Sequence, residues 1–222
     1  MTELFAEEYP HLDLAALPDP ARHVSRAWKK NDVRRRLRRL RERATAEFVY
    51  HRSPVTDPSA LEEFFRLHDV RWKVKEAAGG TRPAGLFATE AGRRFLRVAA
   101  QNMDAAGWLR LSFVDVAGQP AVGRFGIEFD GCYYGLKSAF DPELAPYGPG
   151  HLVVGFLLEE AVARGLRRFD FMRGAGGHKR AWAGSTTQVG YHVLHRTGWP
   201  GDAQLAYAWT ALRWRNRHRF AR

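Results

Sequence analysis

Between Trp108 and Phe140 the apolar residues leave helical spacing and alternate one in two, and this switch limits the folds open to the chain. Trp108–Val116, Ala121–Phe129 and Cys132–Phe140 each read as a strand. Gly118-Gln119-Pro120 separates the first two, and Asp130-Gly131 is a strong hairpin signal between the second and third. Three strands joined by such short turns form an antiparallel meander. Beyond Phe140 the pattern returns to helical spacing. Gly150–Arg164 carries Leu152, Val153, Phe156, Leu157 and Ala161 at that spacing, and Leu166–Met172 reads as a further strand. A helix between two strands is a crossover, so Cys132–Phe140 and Leu166–Met172 should run parallel and leave a cleft at their carboxyl ends.

The flanking segments complete an α/β (α+β) layer arrangement on a mixed central sheet flanked by helices. Residues 1–20 hold Pro10, Pro18 and Pro20 without a sustained period and read as an irregular arm. Ser25 to about Arg43 reads as one basic helix, Ala46–His51 as a strand, and Ser59 to Lys75 as a helix with Leu61, Phe64, Phe65 and Leu67 inward. A second helix runs from Thr89 to a capping Gly107, with Phe95, Leu96, Val98, Ala99 and Met103 read as inward. Gly174–Gly177 is a glycine-rich loop, Thr187–His195 a last strand, and Gln204–Phe220 a basic C-terminal helix. The division expected is an N-terminal arm and basic helix over 1–45, a catalytic-type domain over 46–200 and the C-terminal helix over 201–222.

Composition bounds what such a fold could do. In 222 residues a single domain can bury a sizeable core. No apolar run approaches the roughly 18 residues of a membrane span, and acids at Glu7 and Glu8 oppose a secretory leader, so a cytoplasmic protein is the expectation. Cys132 is the single cysteine, which excludes internal disulfides and thiolate metal clusters; the histidines are dispersed, and no metal site is expected. Net charge is +11, of which residues 22–43 contribute +9 and residues 213–222 contribute +5, leaving the remainder at −3. Basic ends on a faintly acidic body fit a polyanion such as RNA or an anionic membrane surface, and equally fit a solvated helix face.

The turn before the crossover helix reads Tyr147-Gly148-Pro149-Gly150-His151-Leu152. Backbone N–H groups at a helix start favour an anion, and glycine admits close approach, although a plain helix-entry turn has the same sequence. With its flanking strands, Gly148-x-Gly150 resembles the acyl-CoA pyrophosphate loop of the GNAT acetyltransferases, except that Ala145 stands where that family usually has arginine or glutamine. Leu67-His68-x-x-Arg71-Trp72, Gly107-Trp108-Leu109-Arg110-Leu111, Phe140-Asp141-Pro142 and Asp170-Phe171-Met172-Arg173-Gly174, with Lys179 and Trp182 after them, resemble the GNAT subfamily associated with cellulose and exopolysaccharide biosynthesis, a lineage related to Fem-type aminoacyltransferases. The subfamily usually carries Gly-Asp-Glu-x-Tyr-Lys where this chain has Gly174-Ala175-Gly176-Gly177-His178-Lys179. Its members are usually longer, with a preceding half that a partner subunit would have to replace here.

That resemblance implies acetyl-CoA or another acyl-CoA as donor, direct transfer in a ternary complex, and an amine or hydroxyl acceptor on a small molecule, saccharide or cell-envelope precursor. Asp170 is then the candidate base or orienting carboxylate, unless it only accepts backbone N–H bonds. His178 has the intrinsic pKa of a proton shuttle, although it equally reads as a solvated loop residue. Tyr147, Gly148, Gly150, His151 and Leu152 would bind the donor. His68, Arg71, Trp72, Asp141, Arg173, Lys179 and Trp182 would meet the acceptor; Trp72 and Trp182 fit core packing as well. Tyr133 and Tyr134 point to opposite faces, so one at most can reach the cleft. A Fem-type transferase using aminoacyl-tRNA, with the basic ends on RNA, and a non-catalytic polyanion- or partner-binding module on the same scaffold are the competing readings.

Overall fold

In a computed structural model, which describes residues 2–80, 86–174 and 177–193 with positions 203 and 206, seven strands form one sheet. In chain order the elements are β1 (Thr2–Asp13), α1 (Pro20–Lys30), α2 (Val33–Arg41), β2 (Ala46–Val49), α3 (Ser59–Ala77), α4 (Glu90–Ala105), β3 (Leu109–Val116), β4 (Gln119–Phe129) and β5 (Cys132–Phe140). A 3-10 helix (Pro142–Tyr147), α5 (Pro149–Ala163), β6 (Arg168–Asp170), the single turn α6 (Gly177–Arg180) and β7 (Ser185–Val193) complete it. The strand order is β2-β3-β4-β5-β6-β1-β7, and only β5 and β6 run parallel.

The meander is present as the alternation predicts. Both its hairpins turn on paired positive-φ residues, Ala117-Gly118 and Asp130-Gly131, the geometry whose twist matches that of the strands. The first turn therefore sits one residue earlier than Gly118-Gln119-Pro120, and β4 begins at Gln119. Neighbouring side chains point to opposite faces, so each face has its own core. Phe64 and Phe65 of α3 and Leu96 of α4 meet Leu109, Leu111, Phe113 and Phe125 on one side. Leu152, Val153 and Leu157 of α5 meet Val114, Val122, Tyr133 and Phe169 on the other.

Three expectations change. Residues 2–13, read as an irregular arm, are β1, which sits inside the sheet between β6 and β7. Its partners lie more than 150 positions away, so no local period announces it. The expected Ser25–Arg43 helix is two helices, broken at Asn31-Asp32 with Asp32 left-handed at φ 58°. Trp28, Val33, Leu37 and Leu40 on these helices are buried, because α1 and α2 cover the outer side of α5. In α4, Leu96 and Ala100 face inward while Phe95 (59% exposed) and Val98 (60%) face outward, because the Gly92–Leu96–Ala100 stripe is the one that meets the sheet. The expected Gln204–Phe220 helix and its arginines lie outside the described residues, apart from position 206. Among the described residues no helix is long and apolar enough to cross a membrane.

α5 is enclosed on both sides, which accounts for its apolar residues all round. Gly155 lets it approach α1: a Cβ there would lie 3.0 Å from the Trp28 indole, whose Nε1 donates to the Gly155 carbonyl at 3.2 Å. This contact sets the distance between α1 and α5, the helix whose N-terminal turn carries Gly150.

Candidate functional site

β5 stays paired to β4 as far as Phe140, but to β6 only across Cys132–Tyr134. Beyond Tyr134 the two parallel strands part, and Gly135–Phe140 keep one edge with no strand beside it among the described residues. A cleft of about 270 Å³ opens there. Arg71 and Trp72 of α3 close one side, Gly150 and Val154 of α5 the other, and Lys179 enters from α6. This is the opening expected of the crossover, and it unites Arg71, Trp72, Gly150 and Lys179 from far-separated parts of the chain.

The turn at the head of α5 is tighter than its sequence suggests. Gly148 N–H donates to the Ala145 carbonyl at 3.1 Å, and the His151 and Leu152 N–H groups donate to the Gly148 carbonyl at 2.9 and 3.2 Å. Pro149 has no N–H, so Gly150 alone keeps an N–H without a partner among the described residues. A Cβ at Gly150 would meet nothing within 4 Å, so the position faces open space. Gly148 is left-handed (φ 59°), and a Cβ there would lie 2.5 Å from Nη1 of Arg36. The α2 guanidinium thus covers the turn and brings positive charge to it. His151 accepts from Trp182 Nε1 at 3.0 Å through Nδ1; burial, then the Arg36 charge, push its pKa below the usual value. Tyr147 is buried beneath Arg39 and Arg43.

Asp170 lies elsewhere. Phe169 faces α5, stacked on Tyr133 at 4.6 Å, so Asp170 and Arg168 point to the opposite face. There, 6% exposed, Asp170 accepts from the Met172 N–H at 2.7 Å and pairs with Arg168 at 3.2 Å. It lines a second groove with Cys132 and Tyr134, away from Gly150. The carboxylate is engaged as a backbone and arginine acceptor, the alternative its sequence position left open. Tyr133 is buried and Tyr134 faces the second groove, so neither lines the cleft. His68 packs against Phe87 and Trp72 in the α3 core. Asp141 caps the 3-10 helix through the Glu143 N–H at 3.0 Å. Arg173 pairs with Glu7 at 2.7 Å, and Trp182 is buried in the α5 core. The side chain of His178 lies outside the described ones.

Two lining residues escape motif reading. Arg124 on β4 is 4% exposed; it donates to the Ser138 hydroxyl, and through Nη2 to the Gly135 carbonyl at 3.0 Å. Lys137 is half-buried, its pKa lowered by burial and then by Arg71 and Lys75. The signal for Arg124 was present: it shares a face with Val122, at a core position in the otherwise apolar stretch from Ala121 to Ile127. Lys179 donates to the carbonyls of Met172 (3.1 Å) and Arg173 (2.6 Å), and burial, then Arg124, lower its pKa to about 8. Arg71 donates to the Ser138 carbonyl at 2.9 Å and lies over the Phe140 ring. The cleft is cationic, walled by aromatic and aliphatic carbon, and edged by backbone that pairs with no strand among the described residues, its Gly135 and Ser138 carbonyls held by Arg124 and Arg71.

Solved structures share this architecture at low identity. The C-terminal domain described as that of a putative lysylphosphatidylglycerol synthetase from Agrobacterium fabrum superposes with a TM-score of 0.57 at 13% identity, over 96% of this chain and 65% of that one. FemX does so with 0.55 at 11%, over 85% and 61%. A conserved protein of unknown function from Bacteroides thetaiotaomicron gives 0.52 at 15%, over 86% and 62%. The chain thus spans less than two thirds of the length of each. None of the curated protein sequences is significantly similar to it. Residues 28–180, more than half of the chain and all of the cleft's lining, match the family described as "Acetyltransferase (GNAT) domain", and the chain belongs to that family.

Proposed function

We propose that the chain transfers an acyl group from acetyl-CoA or another acyl-CoA to an amine or hydroxyl held in the β5–α5 cleft, directly within a ternary complex. One observation carries this reading: the sheet opens beyond Tyr134, leaving a β5 edge without a strand beside it that leads to the Gly150 N–H, which has no partner among the described residues. An extended amide-bearing donor can add along such an edge as a strand does. The Gly150 N–H, the α5 dipole and the Arg36 guanidinium favour phosphate at the end of that path. Bound there, acyl-CoA supplies a thioester whose carbon–sulfur bond breaks as the acceptor nitrogen or oxygen bonds the carbonyl carbon, the acceptor's proton leaving with the thiol. The chain contributes placement and a cationic environment for the carbonyl oxygen. Cys132 is set apart from this path: its thiol is buried near the second groove and its pKa is raised by that burial. The acceptor we favour is a small molecule or saccharide.

Titration calorimetry with acetyl-CoA tests the reading. Wild type should bind, and Gly150→Trp, which fills open space, should melt as wild type does and lose binding. No binding by wild type, or equal binding by the variant, would reject it.

A second reading has its own observation. The basic faces of α1 and α2 are continuous with the cleft through Arg36, so an aminoacyl group carried on tRNA could reach the same edge. Fluorescence anisotropy with tRNA should then show log affinity falling steeply with log salt; salt-independent or absent binding removes this alternative.

A further inference from the structure

Four cations line the cleft, Arg71, Arg124, Lys137 and Lys179, and its lining contains no carboxylate among the described residues. Arg124 is the most deeply placed of them. The other arginines of the inner strands meet acids, Arg110 with Glu128 at 2.9 Å and Arg168 with Asp170 at 3.2 Å. Among the described residues Arg124 has only neutral partners, the Ser138 hydroxyl and the Gly135 carbonyl, and its Nε is buried with no hydrogen bond to any of them. Gly135 makes the arrangement possible. A Cβ there would lie 1.9 Å from Nη2 of Arg124 and 3.1 Å from Nε, so the strand leaves out a side chain where the guanidinium crosses to the cleft. Asp170 favours the charge on Lys179 from β6, but its own oxygens are taken by Arg168 and the Met172 N–H.

Burying a cation without a counter-charge costs several kcal/mol, and gathering further cations around it adds to that cost. For packing alone, a methionine or leucine at position 124 would serve better. An arrangement this unfavourable in the empty protein is one that a bound anion relieves, since charge-assisted hydrogen bonds in a poorly solvated cleft are strong.

We infer that the β5–α5 cleft is a seat for an anionic group, a carboxylate or phosphate carried by the acceptor, held by Arg124 and Lys179 with Arg71 at the rim. The assignment to the acceptor rests on the transfer reading above; the recognition of an anion does not. An acceptor of this class is an amino acid, an acidic sugar or a phosphorylated small molecule, and its neutral counterpart is refused because it leaves the buried guanidinium unpaired.

The test is a chemical-shift or calorimetric titration of the whole chain at low ionic strength with inorganic phosphate, with acetate, with neutral glycerol, and with coenzyme A. Arg124→Met and Lys179→Met are carried alongside, each with its thermal melt. Phosphate or acetate should bind wild type while glycerol does not, should weaken at least about tenfold in each variant, and should still bind to the chain loaded with coenzyme A. The Arg124→Met melt should be no lower than that of wild type, an outcome that a purely structural arginine would not give. Failure of both anions to bind, or equal affinity in wild type and variants, overturns the seat. Displacement of phosphate by coenzyme A, with both lost in Arg124→Met, gives the seat to the donor's phosphates and overturns the acceptor assignment. Phosphate binding that depends on Arg124 with no coenzyme A binding supports the seat and rejects the acyl-CoA reading instead. Should Arg124→Met fail to fold, Lys179→Met, on a partly exposed side chain, decides alone.

Discussion

Lys179 and Gly135 show how single residues set the cleft's chemistry. Burial, then the Arg124 charge, hold the lysine's pKa at about 8 against an ordinary 10.5, with Arg173 also opposing its charge and Asp170 supporting it. Between these values the unfolded chain binds the extra proton, so the empty protein should gain stability as pH rises through that window. Anion affinity should move the other way, falling above about pH 8 as the ammonium is lost, with the midpoint displaced upward by the bound anion. Calorimetry at stepped pH measures both. Replacing Gly135 by alanine drives a Cβ into the Arg124 guanidinium. It should cost about 1–3 kcal/mol in denaturant unfolding, and should weaken anion binding although position 135 carries no charge. At this scale the sequence was half legible. Arg71, Trp72, Gly150 and Lys179 stand in readable motifs, whereas Arg124 shows in the sequence only as a charge on a core face, and its place in the cleft follows from Gly135 lying beside it across a bulged strand pair.

Among the elements, α1 and α2 show what a charge pattern conceals. Their many arginines invite a reading as a free basic arm, yet the sparse apolar residues between them are the ones that bind the pair to α5. Trp28 is the keystone of that contact, edge-on to Phe156 at 5.4 Å and hydrogen-bonded to Gly155. Trp28→Ala should cost about 3–5 kcal/mol, the usual range for emptying such a site, as read by chemical denaturation. Gly155→Leu should be comparably harmful, since the indole fills the space its side chain needs. Both should also disturb the α5 N-terminus and weaken donor binding at Gly150. The meander was readable because its strands pair through two-residue turns and alternate cleanly. The break at Asn31-Asp32 was not: an aspartate held left-handed, with its side chain paired to Arg35, interrupts the helix without glycine or proline.

Across the whole molecule, β1 is the member that local reasoning could not supply. In the sequence Glu7 and Glu8 speak only against a secretory leader, and Pro10 helps to make the segment read as an irregular arm. In the sheet, Glu7 meets Arg173 and Glu8 meets Arg180, while Pro10 offers its carbonyl to the Phe171 N–H at 3.0 Å. Excising residues 2–13 should therefore do more than trim an end. It should leave β6 and β7 without their shared neighbour and abolish cooperative unfolding, as followed by circular dichroism; a truncated chain that melts sharply would contradict this placement.

The same placement fixes an order of events during synthesis. Register runs from Thr2 against Val193 to His11 against Asp170, so β1 leaves the ribosome well before its partners and waits for the arrival of residues about 160 to 190 positions later. At roughly 5–20 residues per second that delay is on the order of ten seconds or more. Throughout it, a tract able to pair with any stray strand stays uncovered, and Glu3, Glu7 and Glu8 along it make the growing chain a poor template for its neighbours.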